Sequence, residues 1–158
     1  MMESAYFDTS ALVKRYVTES GSHWINALLA FPCTLTVFTS QVTLVETTCA
    51  FSRRMKEGSL SSQDYEELLK AFRYDTEYRY IVADVMPITV ETACELSEAH
   101  PLLRAYDAIH LATALLINCE IVRNNKPPLT FICADKRLLE IAQAENLRTE
   151  NPNDKADE

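Results

Sequence analysis

Glycine is scarce in this chain, with only Gly21 and Gly58 among 158 residues. Neither lies in a G-x-G-x-x-G or P-loop pattern, so the glycine-rich phosphate loops of Rossmann and P-loop nucleotide-binding domains are not expected. The five cysteines are odd in number and form no C-x-x-C pair. This pattern argues against both a disulfide framework and a zinc knuckle.

Basic residues and long apolar runs are also lacking. Lysine and arginine total 15 against 23 aspartates and glutamates, giving a formal charge of −8. Since phosphate binding normally needs a basic surface, a nucleic acid would have to be held by local basic patches, a metal ion or a partner. No apolar run reaches the roughly eighteen residues that span a bilayer. The N-terminus lacks the layout of a signal peptide, so we expect a cytoplasmic protein.

The chain has enough apolar residues (47%) and sufficient length for one globular domain with its own core. Strands are predicted at residues 5–7, 34–38, 80–88 and 129–133. Helices are predicted at about residues 10–17, 20–31, 40–57, from 61, from 89, 104–118 and 136–145. This alternation predicts an α/β domain with a parallel sheet over residues 1–150, followed by a flexible acidic tail at 151–158.

Four acidic residues lie far apart in the chain, each within an otherwise apolar stretch. They are Asp8 in F-D-T-S, Glu46 in L-V-E-T, Asp107 in Y-D-A-I and Asp135 in A-D-K-R. Burying a carboxylate without a partner is unfavourable, so four such cases call for a common explanation. Ligands bind at the carboxyl edge of a parallel sheet, and the predicted elements bring all four acids to that edge. Such a cluster predicts a site for Mg²⁺ or Mn²⁺, suited to hydrolysing phosphodiesters.

Taken one at a time, the four acids also have structural explanations. The two that follow strands could be turn or helix-capping residues. The glutamate could pair with Arg53 or Arg54, and Asp107 could pair with Arg104. A metal site explains all four acids at once, and we therefore favour it over four separate structural roles.

Basic and aromatic residues supply further candidates for substrate binding. Lys14 and Arg15 on the first helix, and Arg53 and Arg54 beyond the glutamate, could contact phosphates or could simply be solvated charges. Tyr74, Tyr78 and Tyr80 could stack on bases, although packing in the core is the more common role. His110 lies on the same helix face as Asp107, where a buried, hydrogen-bonded histidine is expected more often than a ligand.

Four segments, in this order, resemble the PIN-domain ribonuclease family. They are Y-F-D-T-S-A-L-V-K-R-Y, V-E-T-T-C-A, L-R-A-Y-D-A-I-H-L-A-T-A and F-I-C-A-D-K-R-L-L-E-I-A. The similarity covers roughly residues 4 to 150 and is closest to the VapC-type toxins of bacterial and archaeal toxin–antitoxin pairs. It implies a three-layer α/β/α sandwich around a mainly parallel sheet. It also implies endonucleolytic cleavage of RNA with Mg²⁺ or Mn²⁺ at the acidic rim.

Carried over position by position, the resemblance makes Asp8 and Asp107 the most consistent metal ligands. Glu46 and Asp135 complete the catalytic quartet, and Ser10 is a supporting hydroxyl beside the first acid. The resemblance further implies a homodimer and a small antitoxin protein as partner.

One position departs from the family pattern, and several functions remain open. The family often has Thr or Ser two residues before the fourth acid, where this chain has Cys133. A housekeeping RNA-processing nuclease and an inactive, protein-binding PIN-like module are both compatible with the motifs. Phosphoryl transfer in the haloacid-dehalogenase manner is disfavoured, because it needs a second acid where this chain has Ser10.

Overall fold

A computed structural model describes residues 2–155, and within this range five strands form one parallel sheet. They are β1 (Ser4–Phe7), β2 (Thr36–Ser40), β3 (Ile81–Ala83), β4 (Thr130–Ile132) and β5 (Arg148–Glu150). The spatial order is β3-β2-β1-β4-β5, so the chain builds one side of β1 first and the other side afterwards. In open parallel sheets, ligands bind beyond the carboxyl ends of the strands at such a switch point, here between β1 and β4.

Helices cover both faces of the sheet. Across residues 2–155 they are α1 (Thr9–Leu12), α2 (Ser22–Leu28), α3 (Gln41–Lys56), α4 (Ser62–Tyr78), α5 (Pro87–Ala99), α6 (Ala105–Arg123) and α7 (Lys136–Ala144). A 3₁₀ turn at Val13–Arg15 continues α1, and another at Pro152–Lys155 follows β5. One core cluster joins the sheet to α1–α4 and the second joins it to α5–α7. The predicted α/β/α sandwich with a mainly parallel sheet is therefore confirmed.

The central strand β1 contributes to both core clusters and is fully buried. Tyr6 packs with Phe131 on the α6 side, whereas Ala5 and Phe7 face the α1–α4 side. Successive side chains of a strand point to opposite faces, which is why an all-apolar strand suits a sheet covered on both sides. The residue that follows this strand, Asp8, is therefore held at a rigid and deeply buried position.

Helix α6 is longer than predicted. It extends to Arg123, and by length and composition it could span a membrane, with 19 residues and a mean hydropathy of 1.3. The sequence prediction concerned unbroken apolar runs, and this helix is interrupted by Asp107, His110 and Glu120. The structure places its first half, from Ala108 to Ala114, within the protein core, while Val122 near its end is 47% exposed. Only the first half of the helix is therefore buried.

Two other differences concern short elements. The predicted strand at 80–88 contains only β3, and Pro87 opens α5 at its first position, where a missing N–H is harmless. Strand β5 was not predicted at all. Its sequence, Arg148-Thr149-Glu150, carries no apolar alternation, and the strand depends on its pairing with β4.

The flexible tail predicted at 151–158 is wrong for residues 151–155. Asn151 and Pro152 are buried, and Lys155 pairs with Glu150 at 3.5 Å. A Cβ at Gly21, which has a φ of +81°, would lie 2.3 Å from the Pro152 carbonyl oxygen. Glycine is thus required where this segment packs against α2. Residues 156–158 lie outside the described residues.

Candidate metal-dependent nuclease site

All four predicted acids line one pocket of about 640 Å³ at the carboxyl edge of the sheet. Asp8 follows β1 and Asp135 lies just beyond β4, on the two sides of the switch point. Glu46 lies in the second turn of α3 and Asp107 in the first turn of α6. Four separate elements thus direct one acidic residue each into the same depression.

Asp8 is the most buried of the four, at 4% exposure. Its side chain caps α1 by accepting from the Ala11 N–H at 2.9 Å, and Ser10 Oγ donates to the carboxylate at 2.8 and 2.9 Å. Burial raises the pKa of Asp8 above its ordinary value, although the positive potential of His110 and these hydrogen bonds act in the opposite direction. The carboxylate therefore lacks enough compensating charge from the protein.

Asp107 shows that the acids interact electrostatically. Burial is the largest cause that raises the pKa of Asp107, and nearby Arg104 opposes it. The charges of Asp8 and Asp135 raise this pKa further. Like charges in a shared pocket disfavour ionisation unless a cation compensates them. The site therefore carries excess negative charge at its centre.

Asp135 also has the helix-capping role that was the structural alternative for this residue. Its Oδ1 caps α7 by accepting from the backbone N–H groups of Arg137 and Leu138 at 2.9 and 3.5 Å. Capping and pocket lining thus coexist in one residue. Cys133 fills the position expected for Thr or Ser, and its Sγ accepts from the Asp135 N–H at 3.2 Å. Burial, followed by the charge of Asp8, raises the pKa of the Cys133 thiol, so it remains protonated.

Glu46 is held by two side chains and makes no ion pair with Arg53 or Arg54. Thr9 Oγ1 donates to its Oε2 at 2.5 Å, and His110 Nε2 lies 2.7 Å from the same oxygen. Partial burial would raise the pKa of Glu46, but the hydrogen bonds from His110 and Thr9 outweigh it and lower the pKa. His110 is 2% exposed and hydrogen-bonded, as predicted for a buried histidine, and it also lines the pocket.

The four basic candidates have different environments. Lys14 and Arg53 line the pocket. Lys14 is 5% exposed and pairs with Glu19 at 3.3 Å, and Arg54 pairs with the other oxygen of Glu19. Arg15 instead donates to Asn26 at 2.9 Å and lines a separate depression. The structure therefore brings Lys14 and Arg53 to the acids but not Arg15.

Some pocket residues were not predicted as functional. They are Thr9, Glu19, Arg104 and Tyr106. Arg104 immediately precedes α6. Its position three residues before Asp107 was the only feature of the sequence that could have indicated a place in the pocket. Among the tyrosines considered for base stacking, Tyr80 is buried at 6%, while Tyr74 and Tyr78 are exposed and pair with each other outside this pocket.

The donor set fits a hard divalent cation. Carboxylate oxygens are the ligands that Mg²⁺ and Mn²⁺ prefer, and the excess charge around Asp107 is the kind that such an ion relieves. Within residues 2–155, no three His, Cys, Asp or Glu side chains are already spaced to hold an ion. Asp8, Glu46, Asp107 and Asp135 are the residues that would hold such an ion.

Comparison with known proteins identifies the family. The PIN domain family model matches residues 5–143, and the chain therefore belongs to the PIN domain family. Members of this family are generally nucleases that use divalent metal ions. No curated protein sequence matches the chain significantly.

Eighteen chains of solved structures match the fold significantly. One belongs to VapBC2 from Rickettsia felis bound to a DNA fragment from its promoter, at 18% identity and a TM-score of 0.60, covering 94% of this chain and 98% of that one. Another belongs to DNA-bound VapBC from Salmonella typhimurium, at 16% identity and a TM-score of 0.59, covering 96% and 99%. At these identities the likeness concerns the fold.

Proposed function

We propose that this protein is an Mg²⁺- or Mn²⁺-dependent endoribonuclease, with Asp8, Glu46, Asp107 and Asp135 as its catalytic and metal-binding acids. The observation that carries the proposal is the convergence of these acids, from four separate elements, on one pocket at the switch point of the sheet. Membership of a family of nucleases supports the reaction class. The metal ion, when bound, supplies positive charge to the phosphate and lowers the pKa of an attacking water.

The residues of the chain prepare the site for this reaction. Ser10 holds the Asp8 carboxylate at a fixed orientation, and capping holds one oxygen of Asp135. Lys14 and Arg53 provide positive charge on the pocket wall, where they would bind phosphates on either side of the scissile bond. Hydrolysis by water leaves a 5′-phosphate and a 3′-hydroxyl, so no attack by the ribose 2′-hydroxyl is needed.

The biological role we propose is that of a VapC-type toxin. The fold is shared with chains from two VapBC complexes, and the acidic formal charge of −8 suits a basic partner. We therefore propose a small antitoxin protein as partner, a homodimer as the assembly, and action as a single nuclease domain on RNA in the cytoplasm.

The reaction is tested by incubating end-labelled RNA with metal-free protein and adding Mg²⁺, Mn²⁺ or excess EDTA. The Asp8→Asn and Asp107→Asn variants should lose cleavage, and the exposed control Glu120→Gln on α6 should retain it. Cleavage that persists in EDTA or in the Asp variants would contradict the proposal. A wild-type protein without activity, but still toxic or able to bind a partner, would favour the non-enzymatic module.

The toxin assignment needs its own test. Expression of the wild-type chain in bacteria should arrest growth, and Asp8→Asn should not. Co-expression of the protein encoded by the neighbouring gene should restore growth and form a complex that co-purifies. Normal growth with an active wild-type nuclease would instead indicate a housekeeping RNA-processing enzyme.

A further inference from the structure

The His110 imidazole is buried between the sheet core and the acidic pocket. Its Nδ1 lies 2.8 Å from the Tyr6 hydroxyl, and its Nε2 lies 2.7 Å from Glu46 Oε2. Tyr6 is itself fully buried in β1, where its ring stacks on Phe131 with centroids 5.6 Å apart. A continuous chain of contacts therefore runs from the central strands to one of the four acids.

The chemistry of the partners defines the direction of the hydrogen bond to Glu46. A carboxylate can only accept, so Nε2 must carry a proton and donate it. Nδ1, on the opposite side of the ring, makes the hydrogen bond with the Tyr6 hydroxyl at 2.8 Å.

We infer that His110 is a positioning residue that holds the Glu46 carboxylate in its metal-binding orientation, and that Tyr6 fixes the imidazole from behind. The inference rests on the proposed metal-dependent nuclease. Glu46 is half-buried and has a flexible side chain, whereas His110 is rigidly packed at 2% exposure. Residues behind the ligands of a metal commonly orient them in this way.

Thr9 contacts the same carboxylate oxygen, with its Oγ1 3.3 Å from His110 Nε2. Its hydroxyl donates to Glu46 Oε2, so both donors meet one oxygen. The second oxygen, Oε1, is the one that would then be available to bind a metal ion. Thr9 lies in α1, which Asp8 caps, and His110 lies in α6, which also carries Asp107. His110 therefore couples the position of Glu46 to the other acids.

The test compares His110→Gln with His110→Asn. Both variants place one amide in the same buried position, but only the longer glutamine brings its nitrogen to where Nε2 stands. Leu111→Val, a neighbouring core substitution, serves as the stability control. Mn²⁺ affinity is measured by titrating metal-free protein and following free Mn²⁺ by electron paramagnetic resonance, and the thermal midpoint without metal is recorded in parallel.

We expect His110→Asn to bind Mn²⁺ about tenfold or more weakly, as for other residues that orient metal ligands. His110→Gln should stay within about threefold of the wild type, and Tyr6→Phe should lie between the two. Leu111→Val should lower the thermal midpoint without changing Mn²⁺ affinity. Equal affinities of the Asn and Gln variants would overturn the inference while leaving the nuclease proposal intact. A wild-type protein that binds no Mn²⁺ would overturn both.

Discussion

The Ser10 hydroxyl lies between Asp8 and the segment that follows β4. Ser10 Oγ donates to the Asp8 carboxylate oxygens at 2.8 and 2.9 Å, and it accepts from the Ala134 backbone N–H at 2.9 Å. Asp135 follows directly in the chain. A single hydroxyl thus connects the two acids that flank the switch point, which gives Ser10 a more specific role than the supporting one predicted.

Replacement of Ser10 by alanine should therefore destabilise the protein as well as impair the site. The variant leaves the Ala134 N–H without its partner, and we expect a loss of about 1–3 kcal/mol in the free energy of unfolding. The control is Ser97→Ala, whose hydroxyl bonds only a carbonyl of its own helix α5. That variant should stay within about 0.5 kcal/mol of the wild type in urea unfolding. Equal losses would show that Ser10 does not connect the two segments as described.

Removal of the charge of Asp107 should separate stability from function. Because burial and the charges of Asp8 and Asp135 raise its pKa, ionised Asp107 opposes folding when no cation is bound. We expect Asp107→Asn to have a metal-free thermal midpoint equal to or above that of the wild type. The stabilisation produced by Mg²⁺ or Mn²⁺ should be lost, together with RNA cleavage. Calorimetry with and without metal measures this, and Glu120→Gln on the same helix should behave as the wild type.

A lower metal-free midpoint for Asp107→Asn, or an undiminished shift with metal, would contradict this account. The first result would mean that the carboxylate stabilises the fold through Arg104 or the start of α6. The second would mean that the ion is bound without Asp107.

Two adjacent cations should differ in their effect on RNA binding. Lys14 lines the acidic pocket, whereas Arg15 donates a hydrogen bond to Asn26 outside it. Replacing either residue with alanine removes one positive charge. We expect Lys14→Ala to weaken RNA binding and to reduce the slope of log affinity against log salt by about 0.7, the value for one lost phosphate contact on a single strand. Arg15→Ala should leave both nearly unchanged. Fluorescence anisotropy in the uncleaving Asp107→Asn background provides the measurement.

Similar losses for the two variants would show that only the overall charge matters. The thermal midpoint of Lys14→Ala must be checked, because Lys14 is buried and pairs with Glu19. Lys14→Gln, which retains much of the side-chain volume, gives a second comparison.

Much of the fold could be predicted because its main elements have strong local patterns. The apolar strand before Asp8 and the long helix α3 were recognised to within a few residues, as was the start of α4. Strand β5 could not be, because its three residues are polar and gain their structure from pairing with β4. The turn at Pro152–Lys155 likewise depends on contact with Gly21, which is remote in sequence.

The candidate site could likewise be predicted only in part. Acids at the ends of predicted strands could be assigned to one edge of the sheet because parallel topology brings those ends together. The partners of each acid could not be assigned. Lys14 and Arg15 lie in a 3₁₀ turn rather than the predicted α-helix, so their directions did not follow from helical periodicity. The contact between His110 and Glu46 joins residues 64 positions apart.

The buried tyrosines far from the acids provide a prediction about alkaline pH. Tyr16 and Tyr80 share a hydrogen bond of 3.0 Å, and Tyr16 also donates to Asp75 at 2.8 Å. Burial, together with the charge of Asp75, raises the pKa of both phenols above 10.0, that of Tyr80 to about 12. In the unfolded chain these phenols lose their protons near pH 10, while in the native state they keep them.

The sign of the effect follows from this difference in protons bound. Stability from the two phenols is complete below pH 10 and falls as the pH rises towards 12, since the unfolded state then releases protons that the native state retains. Each such phenol contributes a slope of about −1.4 kcal/mol per pH unit in that range. Urea unfolding across this range should show a shallower decline for Tyr16→Phe, and no change of slope for the exposed control Tyr74→Phe. If Tyr16→Phe instead declines as steeply as the wild type, the phenol of Tyr16 must already ionise in the native state, and its hydrogen bond to Asp75 cannot persist at high pH.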